Sequence, residues 1–228
     1  MKGTASEREK YLFKAFIGPN GSGKTYLAMQ IANAACDRQV RIRCNHRDMT
    51  LTQGAVIVRT HAELRSQMAK PGKNVICWDG SRKYGDDLGF KIVAMECMNA
   101  GHWLILADEA HRYMGNKHVK PTGFMVPLLG QHFHARIHFL WTAFRLVDVH
   151  PDWRTQTWQK YHFYSPNATD KKTLGGDVGP GIVTKLQARN QEKRYSYVLE
   201  DRIKNPVVMP PWPAKRPYQP ASRKKKTS

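Results

Sequence analysis

The chain has 228 residues, with 37 Lys plus Arg against 18 Asp plus Glu, so its formal net charge is +19. That length suits one domain with an appendage and buries a core without staples, while 41% hydrophobic residues and six Trp exclude wholesale disorder. The charge points to a polyanionic partner, either nucleic acid or an anionic membrane surface.

The first ten residues, Met1 to Lys10, are polar and carry no apolar segment of the kind a secretory signal needs, so a non-secreted protein is expected. Leu12 to Ile17 reads as a strand, and Lys24 to Cys36, rich in Ala, Met, Leu and Gln, as a helix. Val40 to Cys44 and Ala55 to Val58 are expected strands, followed by a helix over His61 to Met68 and a strand over Asn74 to Trp78. Asp86 to Asn99 is helical with Gly101 as its stop, and Trp103 to Ala107 is a strand. That apolar run is far shorter than the ~20 residues a membrane-spanning helix requires. Phe124 to His134 is expected to be helical and Ile137 to Trp141 a strand. Lys171-Lys172 with Gly175-Gly176 marks a loop, Gly181 to Asn190 a short helix, and Tyr195 to Glu200 a final strand. Alternating strands and helices imply an α/β domain with a mostly parallel sheet over residues 1–201. Residues 202–228 hold eight basic residues, no acidic ones and six of the thirteen prolines, and so read as an extended basic tail; nineteen less these eight leaves +11 on the body.

Directly after the first strand stands Gly18-Pro19-Asn20-Gly21-Ser22-Gly23-Lys24-Thr25, a complete G-x-x-x-x-G-K-[ST] phosphate loop in the strand–loop–helix context it needs. Gly21 and Gly23 let the backbone curl its N–H groups toward an anion, and the following helix aims its positive end at the phosphates. These eight residues and Tyr26 are the candidate ATP-binding set. Within it, Lys24 reaches the β- and γ-phosphates and Thr25 offers its hydroxyl to Mg²⁺.

A second constellation follows at Leu104-Ile-Leu-Ala-Asp108-Glu109, where an apolar strand ends in two carboxylates. Strand C-terminal tips are where ligands sit in parallel α/β sheets. Asp108 is expected to hold Mg²⁺ and Glu109 to orient or deprotonate the attacking water. The alternative reading, an acidic pair capping the next helix, is the weaker once the phosphate loop is counted.

With the block Ala135-Arg136-Ile-His-Phe-Leu-Trp-Thr142-Ala-Phe-Arg145-Leu-Val-Asp148, these motifs make the stretch from about Phe13 to Tyr164 resemble the FtsK/HerA superfamily of DNA-pumping ATPases. The resemblance implies a single RecA-like P-loop core, Mg²⁺-dependent ATP hydrolysis, double-stranded DNA as partner, and a homo-oligomeric ring, usually a hexamer. It also implies an arginine that completes a neighbour's site, for which Arg136, Arg145 and Arg154 are the candidates. The family usually places Gln after the Thr of this strand; here Ala143 follows Thr142, which leaves γ-phosphate sensing to Thr142 or Arg145. A compact chain without a membrane segment looks like the genome-packaging ATPases of tailless viruses with internal membranes. Such a protein works in the host cytoplasm or at a capsid vertex and has a vertex or membrane-protein partner. The Zot-like assembly ATPases of filamentous phages, which act on protein or membrane partners, are the second resemblance. A nucleic-acid-binding protein with a regulatory nucleotide site is the third reading.

Other side chains carry two readings each. His132, His134 and His138 are a metal cluster or, more simply, core and surface residues. Trp141, Phe144, Trp153, Trp158 and Tyr161 stack on bases or fill the core, the latter being favoured by their spacing. Arg41, Arg43, Arg82 and Lys83 meet DNA phosphates in a ring pore or are ordinary surface. Cys36, Cys44, Cys77 and Cys97 are scattered without a paired spacing and read as free thiols.

Overall fold

The computed structural model of the chain describes residues 11–43, 49–113, 132, 134–202 and 204–211. The helix expected over Phe124 to His134 lies outside these residues but for 132 and 134, as do Cys44 and the tail from 212 onward.

The first half of the chain runs β1 (Phe13–Ile17), α1 (Lys24–Ala35), β2 (Arg38–Ile42), β3 (Val56–Val58), α2 (His61–Met68), β4 (Asn74–Trp78), α3 (Ser81–Tyr84), α4 (Asp86–Ala100) and β5 (Leu104–Ala107). The second runs β6 (His138–Ala143), α5 (Pro151–Gln156), β7 (Gln159–Phe163), α6 (Ala168–Val178), α7 (Pro180–Glu192), β8 (Tyr197–Asp201) and β9 (Val207–Met209). Local chemistry sets several boundaries. Thr60 and Glu63 form a reciprocal capping box that starts α2. Asp86 and Asp87 occupy the first turn of α4, and Gly101, at φ 62°, ends it.

The described strands form one sheet in the order β3-β4-β2-β5-β6-β1-β7-β8-β9. The seven strands from β3 to β7 pair in parallel, and β8 and β9 extend the sheet antiparallel. Both faces are covered. One carries Phe13, Ile105, Phe139 and Trp141 under α2, α4 and α5, the last of which contributes Trp153, and the other carries Phe16, Leu104, Leu106 and Leu140 under α1. Strands buried on both faces read as near-continuous apolar runs, which is why β4 and β5 were visible in the sequence.

The structure departs from the sequence reading at three places. Lys171 to Gly176 is helix α6 rather than a loop, because Asn167 caps it through the Thr169 and Asp170 amides and α7 packs against it, where a Cβ on Gly175 would meet Pro180 and Val183 at 3.8 Å. β8 is followed by β9, formed by Val207-Val208-Met209 inside the segment assigned to the tail. Those residues lie between Pro206 and Pro210, so their N–H groups stay available to the ladder with β8. β7 was not anticipated at all, since its Gln159-Lys160 start is polar. Cys77 and Cys97 are buried free thiols and Cys36 is half-buried; burial pushes the Cys77 thiol up to about 11.

The β7–β8 pair carries a charge cluster. Lys160 Nζ lies 2.5 Å from Glu200 Oε1, and His162 Nε2 lies 2.8 Å from Glu200 Oε2. Burial pushes the Glu200 pKa up, but the His162 and Lys160 hydrogen bonds outweigh it and hold the carboxyl at about 2. A folded pKa below the ordinary 4.5 stabilises the fold above that pH, and the contribution is lost as pH falls toward 2. We expect Glu200→Gln to lower stability at pH 7 by on the order of 1–2 kcal/mol. It should also flatten the acid limb of the stability profile between these two pH values, measured by urea unfolding across pH.

Candidate nucleotide site

β6 lies between β1 and β5, so the C-terminal tips of three parallel strands stand side by side. The phosphate loop leaves the β1 tip and is tethered there, Gly18 N donating to Ala143 O at 3.1 Å. A Cβ on Gly18 would lie 2.7 Å from Phe163 Cβ and 2.9 Å from Ser22 Oγ, so the position admits only glycine. Gly23, at φ 88°, makes the left-handed step into α1, whose positive end faces the loop.

Lys24 is buried, with Nζ 3.5 Å from Pro19 O, so its side chain folds back over the loop. Thr25 Oγ1 donates to Asp108 Oδ1 at 3.2 Å. Asp108 is 7% exposed at the tip of β5, and burial pushes its carboxyl pKa up against the opposing pull of the Thr142 and Thr25 hydroxyls and the Lys24 charge. Thr142, fully buried at the tip of β6, donates to Asp108 Oδ1 at 2.6 Å and accepts from Glu109 N at 3.0 Å. Tyr113 donates its hydroxyl hydrogen to the Asp108 carbonyl. Glu109 adopts a left-handed backbone, φ 49° and ψ 50°, and its half-buried carboxylate lies 3.7 Å from Arg112, which also binds Asp86 at 3.0 Å. A hydroxyl and a carboxylate side by side form an oxygen donor set of the kind Mg²⁺ prefers.

The structure therefore brings together Lys24, Thr25, Asp108, Glu109 and Thr142, with Tyr26 half-buried on the first turn of α1. It does not bring in the two arginines named with them. Arg145 Nε is held by Asp170 Oδ1 at 2.7 Å, and Ser165 donates to the same carboxylate. Arg136 precedes β6 at the opposite edge of the sheet, where its guanidinium meets His102 at 3.1 Å. At roughly 3.3 Å per strand residue it stands about 20 Å from the Thr142 tip, outside this chain's own site. Arg154 lies on α5, on the return path to the start of β7.

The remaining candidates sort themselves by burial. Trp141, Trp153 and Tyr161 are core residues, while Phe144 is 40% exposed. Arg41 is fully buried and bonded to Gln39, Asn33 and Gln53, and Arg43 is buried against Asp79 at 2.8 Å, so neither lies on a surface open to DNA. Arg82 and Lys83 lie on α3 and are exposed. His138 Nδ1 accepts from Leu12 N and the His132 ring packs on Phe13, and among the described residues no three His, Cys, Asp or Glu gather as metal ligands. One part of the site escaped the sequence reading. A cleft of about 210 Å³ beside the loop is walled by Pro19–Ser22 on one side and Asn190, Arg194 and Tyr195 on the other. Arg194-Tyr195 sits in a turn between α7 and β8, where no periodicity marks it.

This fold and site define a P-loop nucleoside-triphosphatase fold: a glycine loop after β1, an acidic pair at β5 and a polar tip on the intervening β6. Residues 15–80 match the AAA domain family, dynein-related subfamily. Comparison with curated proteins finds no matching sequence. Among solved structures, the chain is similar to the genome packaging NTPase B204 from Sulfolobus turreted icosahedral virus 2 in complex with ATP-gammaS, with a TM-score of 0.70 and 17% identity over 89% of this chain and 98% of that one. It is also similar to VirB4 of Thermoanaerobacter pseudethanolicus, with a TM-score of 0.56 and 8% identity over 89% and 90% of the two chains. A third likeness is to EssC ATPases 2 and 3 from Geobacillus thermodenitrificans, with a TM-score of 0.52 and 14% identity over 92% of this chain and 41% of that one. At these identities the likeness is one of fold.

Thr142→Val keeps the shape of the side chain but leaves the buried Asp108 carboxylate and the Glu109 amide each short of a partner. We expect a loss of about 2–3 kcal/mol in urea unfolding, with Thr142→Ser retaining most of the stability.

Proposed function

We propose that the chain is an Mg²⁺-dependent ATPase that couples hydrolysis to the movement of double-stranded DNA, as a genome-packaging motor working in a homo-oligomeric ring. The observation that carries this reading is the junction of Thr25, Asp108 and Thr142 at the mouth of the phosphate loop. The fold likeness to a packaging NTPase over nearly all of both chains supports it. So does the +19 charge.

In this reading the loop amides and Lys24 bind the β- and γ-phosphates. Thr25 and Asp108 would hold Mg²⁺, which supplies positive charge to the phosphate oxygens when bound. Glu109 orients the attacking water and takes its proton, as the water oxygen bonds to the γ-phosphorus and the bond to the β–γ bridging oxygen breaks, releasing ADP and phosphate. Thr142 is a positioning residue, fixing the Asp108 carboxylate and the Glu109 backbone together. An arginine from a neighbouring copy completes the charge on the transferring group, with Arg136 well placed to act outside its own chain. Arg59, Arg82 and Lys83 follow the C-terminal tips of β3 and β4 on the edge that carries the site, and are exposed to a DNA backbone. A host-cytoplasmic or capsid-vertex location and a vertex or membrane-protein partner belong to the same reading.

We expect ATPase activity that double-stranded DNA stimulates, with the stimulation lost between about 50 and 200 mM salt because phosphate contacts release counterions. Lys24→Ala should lower kcat about a hundredfold or more, measured by phosphate release. Turnover indifferent to DNA but raised by a protein or lipid partner would favour an assembly or secretion ATPase. Tight DNA binding without turnover would leave only a regulatory nucleotide site.

A further inference from the structure

The turn from α7 to β8 holds an aromatic ring in an unfavourable backbone conformation beside the phosphate loop. Tyr195 has φ 69°, the left-handed region that a bulky side chain seldom occupies. The conformation is fixed from both sides. Lys193 N donates to Arg189 O at 2.8 Å, the Ser196 hydroxyl donates to Lys193 O at 2.8 Å, and Ser196 and Tyr197 are buried. Yet the ring so positioned is 51% exposed and gains little burial in return. It lies against the loop: a Cβ on Gly23 would be 3.4 Å from the Tyr195 ring edge. Its neighbour Arg194 is exposed, lines the same cleft and makes no ion pair among the described residues, unlike Arg145. Strain held at an exposed aromatic beside an anion-binding loop is an observation that points toward a ligand.

We infer that the Arg194-Tyr195 turn is the base-side wall of the nucleotide site. Tyr195 offers its ring face for stacking on the base of a nucleoside triphosphate, and Arg194 brings a positive charge in cis to the phosphates in the loop. The cleft between Pro19–Ser22 and Asn190 leaves room for a planar ring beside Tyr195. Aromatic stacking accepts any base, so the turn adds affinity for nucleotides over bare polyphosphate without selecting among bases. This inference rests on the reading that the phosphate loop binds a nucleoside triphosphate.

The test is calorimetric binding of ATP and of inorganic tripolyphosphate to the full chain and its variants. Tyr195→Gly removes the ring and relaxes the left-handed backbone, so it keeps the fold, checked by an undiminished melting temperature. We expect it to weaken ATP about tenfold while leaving tripolyphosphate within about twofold, with Tyr195→Phe binding both normally. Arg194→Ala should weaken both ligands alike. Tyr195→Gly binding ATP as the unaltered chain does, or losing both ligands equally, overturns the inference. In either case loss of both ligands in Lys24→Ala still upholds the phosphate site. Unchanged binding of both in Lys24→Ala overturns the underlying site and this inference with it.

Discussion

Asp108 keeps a carboxylate at 7% exposure on the tip of β5, where burial opposes its charge. Removing such a group from water costs several kcal/mol unless other donors replace the solvent. The donors come from separate parts of the chain: Thr142 on β6, and Thr25 on the helix that follows β1. They converge only because β6 is inserted between β1 and β5 and all three strands run the same way. An antiparallel neighbour would place its N-terminal end at this edge, with no strand tip to carry Thr142. The order of the sheet and the hydrogen bonding of one carboxylate are thus the same constraint, seen at two scales.

The same constraint divides the molecule into a dense half and a lighter one. From β3 to β7 the sheet is covered on both faces, and its buried clusters contain most of the large side chains. Beyond β7 the sheet continues as the antiparallel β8 and β9, packed under α6 and α7 by a small cluster of Val178, Leu186 and Val198. Elements with few buried apolar contacts open at lower free energy than the central strands. This lighter lobe touches the site twice. Asp170 on α6 holds Arg145, three residues past Thr142, and the α7–β8 turn walls the cleft over the phosphate loop. Tyr197 packs on the Tyr161 and Phe163 rings and Glu200 pairs with Lys160 and His162, so ring contacts and charge pairs together attach the lobe to the parallel sheet.

What the sequence revealed follows from how local each signal was. The phosphate loop was legible because glycine, lysine and threonine must follow one another in fixed order on one turn of chain. Asp108 and Glu109 were legible because β5 is apolar from end to end and stops at them. Thr142 was singled out for sensing phosphate, but its hydroxyl is engaged with Asp108 and Glu109, a pairing 33 and 34 residues distant that no local pattern encodes. Arg41 looked like an outward strand residue, yet Asn33 and the carbonyls of Leu51 and Gln53 enclose its guanidinium. Gly175 and Gly176 suggested a loop because glycine weakens an isolated helix, whereas here the Asn167 cap starts the helix and α7 packs along it. Arg194 carried no signal and Tyr195 was read as the start of the last strand, since one residue in a left-handed turn leaves neither periodicity nor composition behind, and the strand begins at Tyr197.

The placement of the arginines bears on why a single copy is an incomplete motor in the reading proposed above. Hydrolysis places growing charge on the γ-phosphoryl oxygens and the bridging oxygen, and Lys24, the loop amides and a bound Mg²⁺ would share it. Within the chain Arg145 is committed to Asp170, and freeing it would leave that partly buried carboxylate, among the described residues, with only Ser165 as a side-chain donor. Arg194 lines the cleft beside Asn20 to Ser22, and neither Asp108 nor Glu109 lines that cleft. Arg136 stands at the far edge of the sheet, exposed, in a left-handed turn at φ 56°. A ring that sets the N-terminal edge of one sheet against the C-terminal edge of the next would deliver this arginine where its own chain lacks one. The sheet order that gathers the donors around Asp108 is the same order that keeps Arg136 away from it, so in such a ring a copy would fire only when its neighbour is in place.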